Sequence, residues 1–316
     1  MQLGLNWTKD AFARVPATIT MLAGISIKSD TIRHMKKIII KNDEKEEIKL
    51  FTNFLNNKEF PQHRNIIFFS FPELKEKLDL QKESEISILE EFLKTTREKN
   101  KENIQKSVDY IKKKVDENGE KTLDILSDLM DYEWKPETQD YFLVPTIFPI
   151  SPFGGNTLYY SIYKSLQGIT EYPNVLAVSA HEISHVILFE ILKEKNVRMG
   201  QELFYFVKEI IAPVLVFQDD FDGIFKKEIV GNYNVLEIYF KENDKSIKAF
   251  DYFQEKFIKN KASGKKFIDY LDEIISFCRK IEKQIQEKRM FDNKYGIQIM
   301  KDPELLEQFR KPIILQ

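Results

Sequence analysis

Hydrophobic and polar positions along the chain fall into three stretches of different period. In the first, Ile38-Ile39-Ile40 and Ile66 to Phe71 (IIFFSF) are short apolar runs bounded by charge, Asn or Pro, the pattern of buried strands. From about Glu73 to Tyr132 the period becomes helical. Ile86, Leu89 and Phe92 form one stripe and Val108, Ile111 and Val115 another. Glu117-Asn118-Gly119 predicts a helix stop, with a further helix over Thr122 to Tyr132.

The pattern changes at Trp134-Lys135-Pro136. Tyr141 to Ile150 (YFLVPTIFPI) is β-like but carries Pro145 and Pro149, and proline cannot donate to a ladder, so a strand here is expected at a sheet edge. Gly154-Gly155-Asn156 supplies a turn, and Leu158 to Tyr163 a return strand. Two long apolar helical stretches follow, 174–194 and 200–216, joined by a short polar loop. Beyond Gly231 the chain is again helical and charged, with a break at Ala262-Ser263-Gly264. The expected fold is α+β and mostly helical: a small sheet with a proline-bearing edge strand beside a two-helix hairpin, with helical lobes on both sides. Three regions are expected: 1–135, 136–230 and 231–316.

Composition narrows the function classes. The 316 residues include 25 Phe and 13 Tyr, too aromatic for a disordered chain. Forty-eight basic against 50 acidic residues leave a net charge of −2, which disfavours a nucleic-acid or anionic-membrane binder. The single cysteine, Cys278, cannot form an internal disulfide, so a reducing, cytoplasmic setting is expected. Val15 to Ile27 is apolar, but Asp10 and Pro16 suit a signal peptide poorly, and it reads as buried structure. No uninterrupted apolar run reaches bilayer-spanning length.

The chemistry concentrates in His181-Glu182-Ile183-Ser184-His185. On a helix, positions i and i+4 share a face, so both imidazoles can reach one metal ion. Glu182 is rotated by about 100° from His181, beside the metal rather than on it, where it can move a proton to and from an activated water. From Val175 to Leu192 the only charged residues are Glu182 and Glu190, so the helix is expected to be buried and its histidines to need partners. Zinc suits two imidazoles, a carboxylate and one open position. His34 and His63 lie in no ligand pattern, which leaves Glu202 or Glu209 on the next helix. The loop Lys195 to Met199 is centred near Val197, about 21 Å of helix from Ile183, and the same climb back ends near residue 211. That selects Glu209, one zinc per chain being held by His181, His185 and Glu209. Glu202 is expected to be a first-turn acid favoured by the helix dipole. Pro213 removes the hydrogen bond to the Glu209 carbonyl and is expected to bend or loosen the helix there.

HEISH on one helix and KEIIAP on the next resemble the gluzincin zinc metallopeptidases, the superfamily of thermolysin. The resemblance covers roughly residues 140–217. It implies that His181, His185 and Glu209 hold zinc, that Glu182 is the general base, and that an upstream edge strand lines the cleft, for which Tyr141 to Ile150 is the best match. The Asp that in thermolysin follows the glutamate by four residues, orienting a histidine ligand, is replaced here by Pro213. Asp219 and Asp220 are weak substitutes. Tyr159, Tyr160, Tyr233, Tyr239 and Tyr270 are open candidates for the donor that stabilises an oxyanion. The expected function is a zinc metallopeptidase acting on peptide or protein substrates, with a zinc-activated water and Glu182 as base. The alternatives are a hydrolase of other substrates, and a non-catalytic helical interaction protein with a structural or relic metal site.

Overall fold

The structure is a computed structural model that describes residues 36–57, 61–75, 78, 84–136, 138–227, 229–296 and 298–315. Val15 to Ile27, His34 and the side chain of His63 lie outside the described residues. The fold is mostly helical α+β with small mixed sheets.

The first strand, β1 (Ile38–Ile40), is followed by α1 (Glu44–Leu55), α2 (Pro61–Ser70), α3 (Pro72–Lys75), α4 (Ser84–Lys99) and α5 (Lys101–Leu129). The run Ile66 to Phe71 lies mainly in α2 and is not a strand. Ile67 and Phe71 are buried, four residues apart, while Phe69 between them is 71% exposed, which is the period of a helix. The expected stop at Gly119 is also absent: α5 is one 29-residue helix. Its buried stripe runs Ile104, Ile111, Val115, Gly119, Thr122 and Leu126 without interruption. A Cβ on Gly119 would stand 3.3 Å from Val115 Cγ1 and 3.9 Å from Ile38 Cβ, so this glycine lets α5 pass close over β1.

The first sheet contains β2 (Tyr141–Thr146), β3 (Phe153–Gly154) and β4 (Thr157–Ser161) in the order β1-β2-β4-β3. β1, β2 and β4 are parallel, and β3 is antiparallel to β4. The proline-bearing strand is therefore interior, not an edge. Successive amides of β2 alternate sides: Tyr141 N bonds Lys37 O on the β1 side and Phe142 N bonds Asn156 O on the β4 side. Pro145 falls on the β1 side, beyond the last β1 partner, Ile40 opposite Leu143, so its missing N–H breaks no ladder bond. The end of β2 is pinned by buried Glu47 of α1, which accepts from Thr146 Oγ1 and Ile147 N, both at 2.7 Å, and from Arg97 Nε at 2.5 Å.

The two long apolar stretches are α6 (Val175–Glu194) and α7 (Gln201–Val216). They pack on each other, and the helical assignment runs through Pro213. By length and apolar character α6 would suffice to cross a membrane. In this fold it is a core helix, packed on α5, α7 and β4. The chain continues through α8 (Tyr233–Leu236), β5 (Tyr239–Glu242), β6 (Lys245–Lys248), α9 (Ala249–Ala262), α10 (Phe267–Lys280), α11 (Glu282–Tyr295), α12 (Gln298–Lys301), α13 (Pro303–Arg310) and β7 (Ile313–Ile314). Gly264, at φ +71°, follows the end of α9 at the expected break. β6, β5 and β7 form a second sheet, and α9, α10 and α11 all pack against α7.

Candidate metal centre

The loop between α6 and α7 is residues 195–200, and the register it imposes brings Glu209 opposite the motif. Glu209 Oε2 lies 3.8 Å from His181 Nε2, and Glu209 Oε1 lies 3.9 Å from His185 Nε2. One ligand atom from each of the three residues falls within 4.8 Å of the others. Glu202 is elsewhere: it accepts from Arg289 Nε of α11 at 3.1 Å. It is thus more than a first-turn acid, since Arg289 is buried, stands over the Tyr205 ring at 3.6 Å and also bonds Asp292.

These groups fit a metal ion. Zinc bonds of about 2.0–2.2 Å set ligand atoms of a tetrahedral shell about 3.3–3.6 Å apart, so the two His–Glu209 separations of 3.8 and 3.9 Å are within a few tenths of an ångström of that shell, and the widest ligand pair, at up to 4.8 Å, has to close by about an ångström. Burial pulls the pKa of both histidines down. For His181, Glu209 opposes this shift and Lys208 adds to it; for His185, Lys208 and His181 both add. Both rings are therefore neutral and carry the lone pair that a metal requires. His181 Nδ1 stands 3.0 Å from the Val230 carbonyl. A carbonyl can only accept, so the bond places the proton on Nδ1 and leaves Nε2 free toward Glu209. His185 Nδ1 is buried without a hydrogen-bond partner, and its ring lies 5.6 Å from that of Phe153 in β3.

The Val230 carbonyl is the group that holds His181 Nδ1, and Pro213 offers no side-chain acceptor. Gly231 presses against both Pro213 and His181: a Cβ there would stand 3.4 Å from His181 Cε1 and from Pro213 Cγ. Asp219 and Asp220 are spent elsewhere, on Lys227 and Lys261.

Glu182, half-buried one position along α6, has its pKa pushed up to about 8, mainly by burial and then by the Glu209 carboxylate. Four of the five candidate tyrosines are engaged elsewhere. Tyr159 donates to Glu46, Tyr160 packs on Tyr172, Tyr239 lies in β5 under Lys248, and Tyr270 donates to the Phe253 carbonyl. Tyr233 is exposed at the start of α8, just after Gly231. The tyrosine that stands beside the site is Tyr205, whose hydroxyl accepts from Asn232 at 2.7 Å. Its signal was its place one turn before Glu209 on the same face. Lys208 was legible only as the charged neighbour of Glu209 in the sequence, whereas Val230 and Gly231 follow from no local pattern.

Comparison with protein-family models, curated proteins and solved structures finds no match to this chain.

Proposed function

We propose that the protein is a zinc-dependent hydrolase of the gluzincin type, most simply a metallopeptidase. One observation carries the reading: two neutral imidazoles from one turn of α6 and a carboxylate from α7 converge, with a second carboxylate, Glu182, beside them and half open. A site that only stabilised the fold would have no use for that fourth group. Zinc held by His181, His185 and Glu209 would supply Lewis acidity, polarising a carbonyl and making water nucleophilic near neutral pH. Glu182 would accept the water's proton and return it to the leaving amine. The free sheet edge beside the site is β3, and an extended substrate could add to it as a further strand. The proline-bearing β2 cannot play this part.

Two measurements test the reading. Protein prepared without chelator should carry close to one zinc per chain, and His181→Ala should lose it. Glu182→Gln should retain zinc while peptide turnover falls by at least about 10²-fold. Zinc-loaded protein inert toward a quenched peptide library would favour the non-catalytic alternative. Protein that takes up no zinc would end both readings.

A further inference from the structure

Glu182 is not the only charged side chain beside the converging ligands. Lys208 is one of three charged residues on α7, with Glu202 and Glu209. Its side chain is 15% exposed, and its Nζ donates to Glu209 Oε1, the same oxygen that lies 3.9 Å from His185 Nε2. The ammonium sits 5.0 Å from the Tyr205 ring centroid and 5.9 Å from that of Phe153. Tyr205 is itself a fixed wall, clamped by Asn232 at its hydroxyl and by Arg289 on its ring. The cation is therefore held between two aromatic rings, and the ion pair it makes among the described residues is with a carboxylate that a metal would claim.

We propose that Lys208 is the second electrophile of this site, the donor that holds the negative charge of the reacting carbonyl oxygen. The assignment rests on the hydrolase reading above and supplies an oxyanion donor at a site where four of the five tyrosines named from sequence are engaged elsewhere. With Glu209 committed to a metal, the ammonium keeps three N–H donors and no acceptor on a flexible stem. Because Lys208 and the metal would share the Glu209 carboxylate, a carbonyl oxygen reaching one comes within reach of the other. During hydrolysis the water oxygen bonds the carbonyl carbon, and its proton passes to Glu182 and then to the amine nitrogen as the C–N bond breaks. The carbonyl oxygen holds the charge until its double bond reforms, and the Lys208 ammonium stabilises it over that interval. The aromatic walls keep the cation near the site and partly shielded from water, where a charge-assisted hydrogen bond is stronger.

The test uses full-length, zinc-loaded protein and an N-acetylated, C-amidated phosphinic Phe-Leu dipeptide, whose tetrahedral anionic group mimics the charged carbonyl. Lys208→Met should retain stoichiometric zinc and bind it as tightly as wild type or more so, because a competing cation on Glu209 is gone. It should bind the phosphinic peptide at least tenfold more weakly, and its kcat should fall by about 10²–10³-fold with KM nearly unchanged. Lys208→Arg should recover part of both losses. Lys208→Gln provides a second neutral variant in case the methionine protein does not fold. Phosphinate affinity within threefold of wild type in a folded neutral variant, loss of zinc from that variant, or no binding of the probe by wild type would each overturn the assignment. If wild type carries zinc and binds the probe but cleaves no peptide, the peptidase reading fails, and the probe affinities alone decide the role of Lys208.

Discussion

Replacing Glu209 or Glu202 by alanine separates a metal ligand from a structural acid on the same helix, and the structure sets the size of each effect. Glu209 faces both imidazoles, so Glu209→Ala should remove one of three ligands and most of the zinc affinity. A ligand present at a hundredfold excess over its Kd stabilises the folded state by about 2.7 kcal/mol. At about 2.1 cal/mol/K per residue, a chain of 316 residues has an unfolding entropy near 0.66 kcal/mol/K. Zinc should therefore raise the wild-type Tm by about 4 °C under that condition and leave Glu209→Ala nearly unmoved. Glu202→Ala should behave in the opposite way. It deprives buried Arg289 of one carboxylate while leaving Asp292 and the Tyr205 ring in place, a loss of about 1–2 kcal/mol. Its Tm should fall by about 2–3 °C without metal, and the zinc-induced rise should remain complete. The assay is differential scanning fluorimetry with and without zinc, paired with calorimetric zinc titration. A full zinc response in Glu209→Ala, or its loss in Glu202→Ala, would refute the ligand assignment.

Two further substitutions probe the supports of the site and of the sheet. Gly231→Ala places a Cβ at ordinary contact distance and should be tolerated, whereas the branched Gly231→Val should push the Val230 carbonyl off His181 and weaken zinc binding by about 10–100-fold in titration; equal affinities for both variants would remove Val230 from the site. Glu47→Ala strips the buried partner from Arg97, Thr146 Oγ1 and the Ile147 amide, and chemical denaturation should show a loss of about 3–5 kcal/mol, with a loss below about 1 kcal/mol contradicting the pinning role.

The α6–α7 hairpin was legible because its information is local. A motif at i and i+4, two unbroken apolar helices and a short loop fix a register that the structure reproduces to within a turn. The errors share a cause: punctuation was read without its tertiary context. Gly119 signals a stop in isolation, yet the buried stripe continues across it, and the glycine is there because β1 passes close by. Pro145 signals an edge, yet it stands where the neighbouring strand has already ended. Ile66 to Phe71 shows how little a short apolar run says about period when its burial is unknown. Val230 lies beyond any local inference, since a carbonyl forty-nine residues from the histidine it holds leaves no trace in residue type.

That carbonyl has a consequence for where control over the candidate metal centre resides. The candidate ligands come from α6 and α7, but the group that holds His181 Nδ1 belongs to the segment leading into α8. That segment is tied in turn to its surroundings, through Asn232 to Tyr205 and through Asn234 to Asp292 of α11. Arg289 closes the circuit by joining the same helix to Glu202 and Tyr205 on α7. The imidazole is thus linked to α11 through Val230 and the residues that follow it. A partner, a proteolytic cut or a thermal fluctuation that lifted α11 from α7 is expected to free the His181 ring to turn, because the segment that carries Val230 is anchored to α11.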